Sequence, residues 1–300
     1  MTDKMTGGPK KEIKIAALSC SYNRLKKTTA FLTSLVNQKV SDNYKIDAYL
    51  LDDNSSDGTA SYVESHFPTV NVLNGSGSLF WAGGMRTLWE HVVKKEDYDF
   101  YLLFNDDVVL FEGALGRLLS ACNSLPDPGN IILGTLQDSN GSAITYGGQK
   151  IINKFSGDTI TVTPDPFLLT ACEIGNANIM LVDKSTVDKI GILSGSYTHG
   201  IADYDYTLTA IKNGVNVWIA PGYYGHCDDD HGVTWLSQST PLKKRIEFLY
   251  SPKGLAYKQH MLYVKKHFPL SVPTTHIKFW VKTLFPIVYD VFKKEEKVKN

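Results

Sequence analysis

The sequence predicts an α/β protein with a mostly parallel central sheet flanked by helices. Apolar runs of strand length alternate with stretches of helical apolar spacing over residues 13–104, the pattern of parallel strands joined by right-handed crossovers. Two of those runs end in acidic clusters. Leu50-Leu51 leads into Asp52-Asp53-Asn54-Ser55-Ser56-Asp57-Gly58-Thr59, and Tyr101-Leu102-Leu103-Phe104 leads into Asn105-Asp106-Asp107. In open α/β sheets, ligands bind beyond the carboxyl ends of the strands. After Pro126 the texture changes to short apolar runs among Gly, Asn, Asp and Pro, which predicts an antiparallel insertion or a smaller sheet.

Each element has its local reason. Ile13 to Leu18 is a continuous apolar run and a buried first strand, and Ser19 to Arg24 is a polar loop. Leu25 to Gln38 carries helical spacing, and Ile46 to Leu51 is the second strand. A helix starts near Gly58, with Ser56 and Asp57 as N-cap candidates. Val70 to Leu73 is a short strand, Met85 to Lys94 is helical, and Asp99 to Phe104 is a buried strand. Ile131 to Leu133, Ala143 to Tyr146 and Thr159 to Val162 are short strands of that insertion or smaller sheet. Ile174 to Val182 reads as one strand, followed by a short helix from Lys184, a helix over Ile201 to Lys212 and a strand over Val215 to Ala220. Beyond about Leu242 the chain is helical, over Leu242 to His267 and over His276 to Lys294 with a break at Pro286. The expected division is a disordered tail over 1–12, one domain over 13–242 and a basic helical region over 243–300.

Composition excludes several classes. Cys20, Cys122, Cys172 and Cys227 are scattered without a CxxC pair, so neither a disulfide framework nor a zinc ribbon is indicated, and a reducing compartment is expected. Met1 to Lys14 lacks the apolar stretch of a secretory signal, and no apolar run is long enough to span a bilayer. The net charge of +0 hides an asymmetry: residues 243–300 hold 13 Lys and Arg against 4 Asp and Glu, a net +9, and the body balances it at −9. Basic, aromatic-rich helices lie on anionic bilayers, and Phe279, Trp280 and Phe285 beside Lys278 and Lys282 fit that reading. The same aromatics equally suit packing on the domain or on a second subunit as a homodimer. An acidic body argues against nucleic acid. The expected location is the cytoplasm, peripheral on the cytosolic face of the inner membrane.

The acidic strand ends suit a sugar nucleotide and the divalent cation that grips its diphosphate, because hard cations take carboxylate and phosphate oxygens. Asp52 directly ends an apolar strand, where its carboxylate can accept from a nucleobase N–H or a ribose hydroxyl. Asp57 reads first as a turn and capping residue. Gly83 and Gly84, in Trp81-Ala82-Gly83-Gly84, open a helix, and helix N-termini bind phosphate. Arg86 can reach a phosphate or pair on the surface.

Taken together, Ser21-Tyr22-Asn23-Arg24, the Asp52 to Thr59 block, Asn105-Asp106-Asp107-Val108, Trp81 to Gly84, Gly175 to Met180, Ala202-Asp203-Tyr204-Asp205 and His226 resemble the inverting glycosyltransferases of family 2, over roughly residues 13 to 230. The resemblance implies the GT-A fold, Rossmann-like, with a smaller antiparallel acceptor-side sheet, here carrying a C-terminal helical extension. It implies transfer of a hexosyl or deoxyhexosyl group, as in rhamnosyltransferase-like enzymes of bacterial polysaccharide or O-antigen synthesis. The donor would be UDP-, dTDP- or GDP-linked and the acceptor a hydroxyl of a glycan or lipid-linked glycan. It places donor contacts on Ser21, Asn23, Arg24, Asp52, Gly83, Gly84, Arg86 and Asp106. It gives Mg²⁺ or Mn²⁺ to Asp107 and His226, with Asn105 where the family's DxD motif has its first aspartate, and the general base to Asp203. Asp205, two residues on, lies about 200° around the helix by its 3.6-residue geometry and ranks second. Ala202 stands where the family usually has Glu. His231 and the Asp228 to Asp230 run read as a solvated loop. The alternatives are a non-catalytic carbohydrate-binding or assembly subunit, and a sugar-nucleotide nucleotidyltransferase, which would want glycines in the loop after the first strand.

Overall fold

A computed structural model describes residues 11–228 and 234–292. His231, Asp229, Asp230, Lys293 and Lys294 lie outside the described residues, as does the tail before residue 11. The chain begins with β1 (Ile13–Ser21), α1 (Leu25–Val36), β2 (Tyr44–Asp52), α2 (Thr59–His66), β3 (Val70–Asn74), α3 (Phe80–Lys95) and β4 (Phe100–Asn105). Next come β5 (Val109–Leu110), α4 (Ala114–Asn123), β6 (Asn130–Gln137), β7 (Ile144–Tyr146), β8 (Gly148–Asn153) and β9 (Asp158–Thr161). These are followed by β10 (Thr170–Ala171), β11 (Ile174–Gly175), β12 (Ile179–Asp183), α5 (Lys184–Ile190), α6 (Ala202–Lys212) and β13 (Asn216–His226). The chain closes with α7 (Leu242–Tyr250), α8 (Tyr257–His267), a 3₁₀ turn over Pro269–Ser271, α9 (Val272–Leu284) and α10 (Ile287–Phe292).

The main sheet has the order β10-β13-β6-β12-β4-β1-β2-β3, with β5 on β13 and β7 on β6. Its β4-β1-β2-β3 half is parallel, as the alternation of elements predicts. β12 enters antiparallel between β4 and β6. The smaller antiparallel sheet expected after Pro126 is β11-β8-β9, while β6 and β7 join the main sheet instead. Apolar layers cover both faces: Leu18, Leu51, Met85, Trp89 and Leu103 share one core, and Phe31, Leu50, Leu102, Phe104 and Leu118 share the other. That is why β1, β2 and β4 read as unbroken apolar runs rather than alternating ones.

Two boundaries differ from the sequence reading. The single strand over Ile174 to Val182 is two, broken at Asn176-Ala177-Asn178. The single helix over Leu242 to His267 is α7 and α8, separated by Ser251 to Ala256. Gly254 belongs to that corner, because a Cβ there would sit 2.1 Å from the carbonyl oxygen of Phe248.

The C-terminal helices pack on the body. Tyr263, Val264 and Phe268 share a cluster with Ala82, Ile174, Tyr197, Ala202 and Leu208. Asp205, buried in α6, takes the Lys266 ammonium at 2.8 Å, His267 Nε2 at 2.7 Å and the Tyr197 hydroxyl at 3.0 Å. One aromatic that the sequence reading turned toward a membrane faces inward: Phe279 is buried and its ring lies 4.8 Å from that of His260 and 5.7 Å from that of Tyr257. Phe285 stays exposed. Among the described residues no helix is long and apolar enough to cross a membrane.

Candidate active site

β1 is the floor of the site because both acidic strands pair with it. Ser21 stands opposite Asp52 on β2, and Cys20 stands opposite Asn105 on β4. The two acidic strand ends therefore lie at one level with one strand between them, about 10 Å apart by sheet spacing.

On the β2 side, Asp52 is buried; one carboxylate oxygen accepts from Ser55 N at 2.8 Å and the other, also buried, has no partner. A buried acceptor without a donor costs free energy, and a ligand N–H or O–H removes that cost. Asn23, in the left-handed region at φ 53° where Asn is tolerated, accepts from Ser56 N at 2.7 Å, and its own N–H donates to Ser55 Oγ at 2.8 Å. Asn23 thus ties the loop after β1 to the loop after β2. Asp57 accepts from Leu25 N at 2.9 Å and Thr59 N at 3.1 Å, so it caps α1 across the loops as well as steadying its own turn.

On the β4 side, the Arg24 guanidinium bridges Asp106 at 3.0 Å and Asp107 at 2.9 Å, and Lys27 Nζ lies 3.5 Å from Asp107. A chain of hydroxyls runs beneath: Ser21 Oγ meets Thr28 Oγ1 at 2.7 Å, and Thr28 donates to Asp106 at 3.3 Å. Burial pushes the Asp106 carboxyl above its ordinary range, and the Arg24 charge only partly offsets that. The other oxygen of Asp107 accepts from the Cys227 thiol at 3.3 Å, and burial beside that carboxylate pushes the thiol far up.

Asp203 approaches from the opposite wall. Its carboxylate accepts from Ala177 N at 3.1 Å, in the break between β11 and β12, and the next residue's carbonyl, that of Asn178, accepts from Asn105 N at 3.4 Å. Asp203 and Asn105 are thus two backbone links apart. Asp205 points into the clasp with α8, where burial raises its pKa but the hydrogen bonds from His267, Lys266 and Tyr197 outweigh it and hold it low.

The start of α3 is arranged differently from an open phosphate loop. Gly77 N and Leu79 N donate to Asp53 at 2.7 and 2.8 Å, and Ala82 N and Gly83 N donate to Thr198 O at 3.1 and 3.3 Å. These amides already have protein acceptors. Gly84 serves close packing, since a Cβ there would meet Cys20 and Leu51 at 3.4 Å. Arg86 donates to the carbonyls of Ser194 and Tyr197, both at 3.1 Å, and so fastens the loop ahead of α6.

For a divalent cation, the chemistry of the residues fits when phosphate completes the set. Among the described residues no group of three or more His, Cys, Asp or Glu gathers. His226 Nδ1 lies 2.9 Å from the carbonyl of Asp138. That carbonyl can only accept, so Nδ1 donates, and in the neutral ring Nε2 is then the lone-pair nitrogen, the ligating tautomer. Mg²⁺ commonly uses one or two carboxylates with substrate phosphates and water, a mode open to Asp107 once Arg24 and Lys27 turn away.

Sequence reasoning missed Lys27, Thr28, Asp53, Asn178 and Cys227. Asp53 and Cys227 adjoin chosen residues, and Lys27 and Thr28 repeat one helical turn beyond Arg24, the available signal.

Residues 17–171, just over half of the chain, match the family model described as Glycosyl transferase family 2. No curated protein matches by sequence. Among solved structures, the mannosyltransferase PcManGT from Pyrobaculum calidifontis, in complex with GDP-Man and Mn²⁺, superposes with a TM-score of 0.52 at 12% identity, covering 91% of this chain and 70% of that one. TarS 1-349 from S. aureus superposes with a TM-score of 0.51 at 16% identity, covering 93% and 81%. Its complex with UDP gives 0.50 at 15%, covering 72% of this chain and 60% of that one. At these identities the likeness is one of fold, the GT-A arrangement.

Proposed function

The chain belongs to glycosyl transferase family 2, and we propose that it moves a sugar, with inversion, from a nucleoside-diphosphate donor to a hydroxyl of a lipid-linked glycan in cell-surface polysaccharide synthesis, of O-antigen and rhamnosyltransferase-like type. One observation carries the reading: Asp52, with its buried unpartnered oxygen, and the Asp106-Asp107 pair flank the end of β1 at one level. That spacing suits a nucleoside at Asp52 and a diphosphate beside Asp107. The neighbours' bound GDP-Man with Mn²⁺, and UDP, are in keeping with it.

In this reading Asp52 accepts from the base or ribose, and Ser21, Asn23 and Asp106 shape the ribose wall. Arg24 and Lys27 sit where they can swing from the carboxylates to the diphosphate. Gly84 contributes by letting α3 lie close to β1 and β2, where a Cβ would meet Cys20 and Leu51. Asp107 and His226 would hold a Mg²⁺ or Mn²⁺ ion, which supplies charge compensation for the leaving diphosphate. Asp203 takes the acceptor hydroxyl proton as that oxygen bonds the anomeric carbon and the carbon–oxygen bond to the diphosphate breaks, with the electron pair leaving on the diphosphate. The Ala177 amide steadies the Asp203 carboxylate for that role.

The test is donor binding and turnover in purified protein. Asp107→Ala is expected to abolish transfer and weaken nucleoside-diphosphate binding, and EDTA should mimic the loss. Full activity in EDTA removes the metal from the reading.

A further inference from the structure

Two exposed apolar surfaces meet at one point of the molecule. The first is the β8–β9 hairpin. Lys150 pairs with Ile160 across it, and the alternation turns Ile151 into the core beside Tyr263 and Phe268 while Ile152 faces out. Ile152, Phe155 and Ile160 are 56 to 70% exposed. The second surface is on the C-terminal arm, where Ile277 and Leu284 share a face of α9 at seven-residue spacing, and Leu270 in the 3₁₀ turn, Phe285 and Val291 of α10 are exposed beyond its ends. The hairpin turn joins the two: a Cβ at Gly157 would lie 3.0 Å from the Phe268 ring, and Leu270 follows two residues later. Single exposed apolar residues need no explanation, but a contiguous set marks an interaction surface.

Charge selects the occupant. Lys150, Lys154, Lys265 and Lys278 are exposed along these elements, against Asp158 as the acidic exception on the hairpin, and residues 243–300 carry +9. A second copy docking by the same face would bring lysine against lysine. An anionic bilayer accepts both features, taking apolar side chains below the headgroups and lysines at them.

We propose that the β8–β9 hairpin and the α8–α9 arm form one membrane-docking surface for anionic lipid. The root of the hairpin is tied to the catalytic wall, because the Gln149 and Asn176 side-chain amides both donate to the Tyr204 hydroxyl at 3.2 Å, next to Asp203. Docking there sets the Asp203 side of the site toward the lipid surface, where a lipid-linked acceptor hydroxyl emerges. The choice of acceptor rests on the glycosyltransferase reading; the docking does not.

The full chain should be sedimented with vesicles of phosphatidylcholine alone and of phosphatidylcholine with phosphatidylglycerol, without donor or acceptor, so that docking can fail while transfer stands. Binding is expected to the anionic vesicles only and to weaken with salt. The hairpin variant Ile152→Ser/Phe155→Ser and the arm variant Leu270→Ser/Ile277→Ser should each weaken it about tenfold or more. Unchanged melting temperatures show that these exposed positions are not structural, and Phe155→Ser alone replaces the hairpin variant where the double change unfolds it. No binding at low salt overturns the proposal, and so does loss in the arm variant alone. A dimer in sedimentation equilibrium that Phe155→Ser abolishes gives the face to a second copy instead.

Discussion

Asp203 and Asp205 are two residues apart and have different surroundings, which separates their mutants cleanly. Asp203→Asn keeps the shape and the Ala177 hydrogen bond but cannot take a proton. It should lower turnover by about 10²-fold or more with donor affinity near normal, measured by steady-state kinetics and calorimetric titration. Asp205→Asn removes the charge that Lys266 and His267 share at 2.8 and 2.7 Å. Its signature should be a lower melting temperature, and the opposite pattern would move the base two residues on, to Asp205. The positions of Asp52, Asp107 and Asp203 in the fold were legible, because Asp52 ends β2, Asp107 follows β4 and Asp203 opens α6. Lys27, Thr28 and Cys227 were not, because their contacts join residues 78 to 120 apart in sequence, and no local pattern encodes such a pairing.

At the scale of elements, the break between β11 and β12 shows what periodicity misses. Ile174 to Val182 is apolar enough for one strand, yet the chain turns at Asn176-Ala177-Asn178 and offers an amide to Asp203. β13 is similarly constrained. A Cβ at Gly225 would lie 2.4 Å from the carbonyl oxygen of Val109, so Gly225→Ala must displace backbone beside His226 and Cys227. The expected cost is about 1–3 kcal/mol, read by denaturant unfolding. The clasp of α8 onto the body should also respond to pH. Burial, with Lys282 nearby, lowers His260 to about 4, and burial lowers His267 as well. His260 stays neutral in the fold down to about pH 4 but binds a proton near 6.5 when unfolded, so the unfolded chain holds more protons between those values, and His267 shifts in the same direction. Stability should therefore fall as pH drops from about 6.5 toward 4, by up to roughly 3 kcal/mol for His260. The depressed Asp205 carboxylate adds stability present above the ordinary carboxylate range and lost only in stronger acid. His260→Phe, set against Phe279, should flatten the melting-temperature profile over that window.

For the whole molecule, the parallel half of the sheet and its acidic edge were legible because strands buried on both faces read as unbroken apolar runs. The inward turn of Phe279 and the docking of α8 were not, since an amphipathic aromatic stripe looks the same whether it meets a membrane or a protein core. The body and the helical region are joined through Asp205, so deleting everything after Leu242 should unfold α6 and the site with it. The central claim is that Asp52 and the Asp106-Asp107 pair form one cradle for a nucleoside-diphosphate sugar. The most direct measurement is the melting temperature of the full chain against UDP-, GDP- and dTDP-sugars with Mn²⁺, repeated with Asp52→Ala and Asp107→Ala. Ligand at about a hundredfold over Kd stabilises by roughly 2.7 kcal/mol, a rise of several degrees. The account predicts that rise for at least one donor in the wild type and its loss in both variants. No shift with any donor, or a shift that survives Asp52→Ala and Asp107→Ala together, would contradict it.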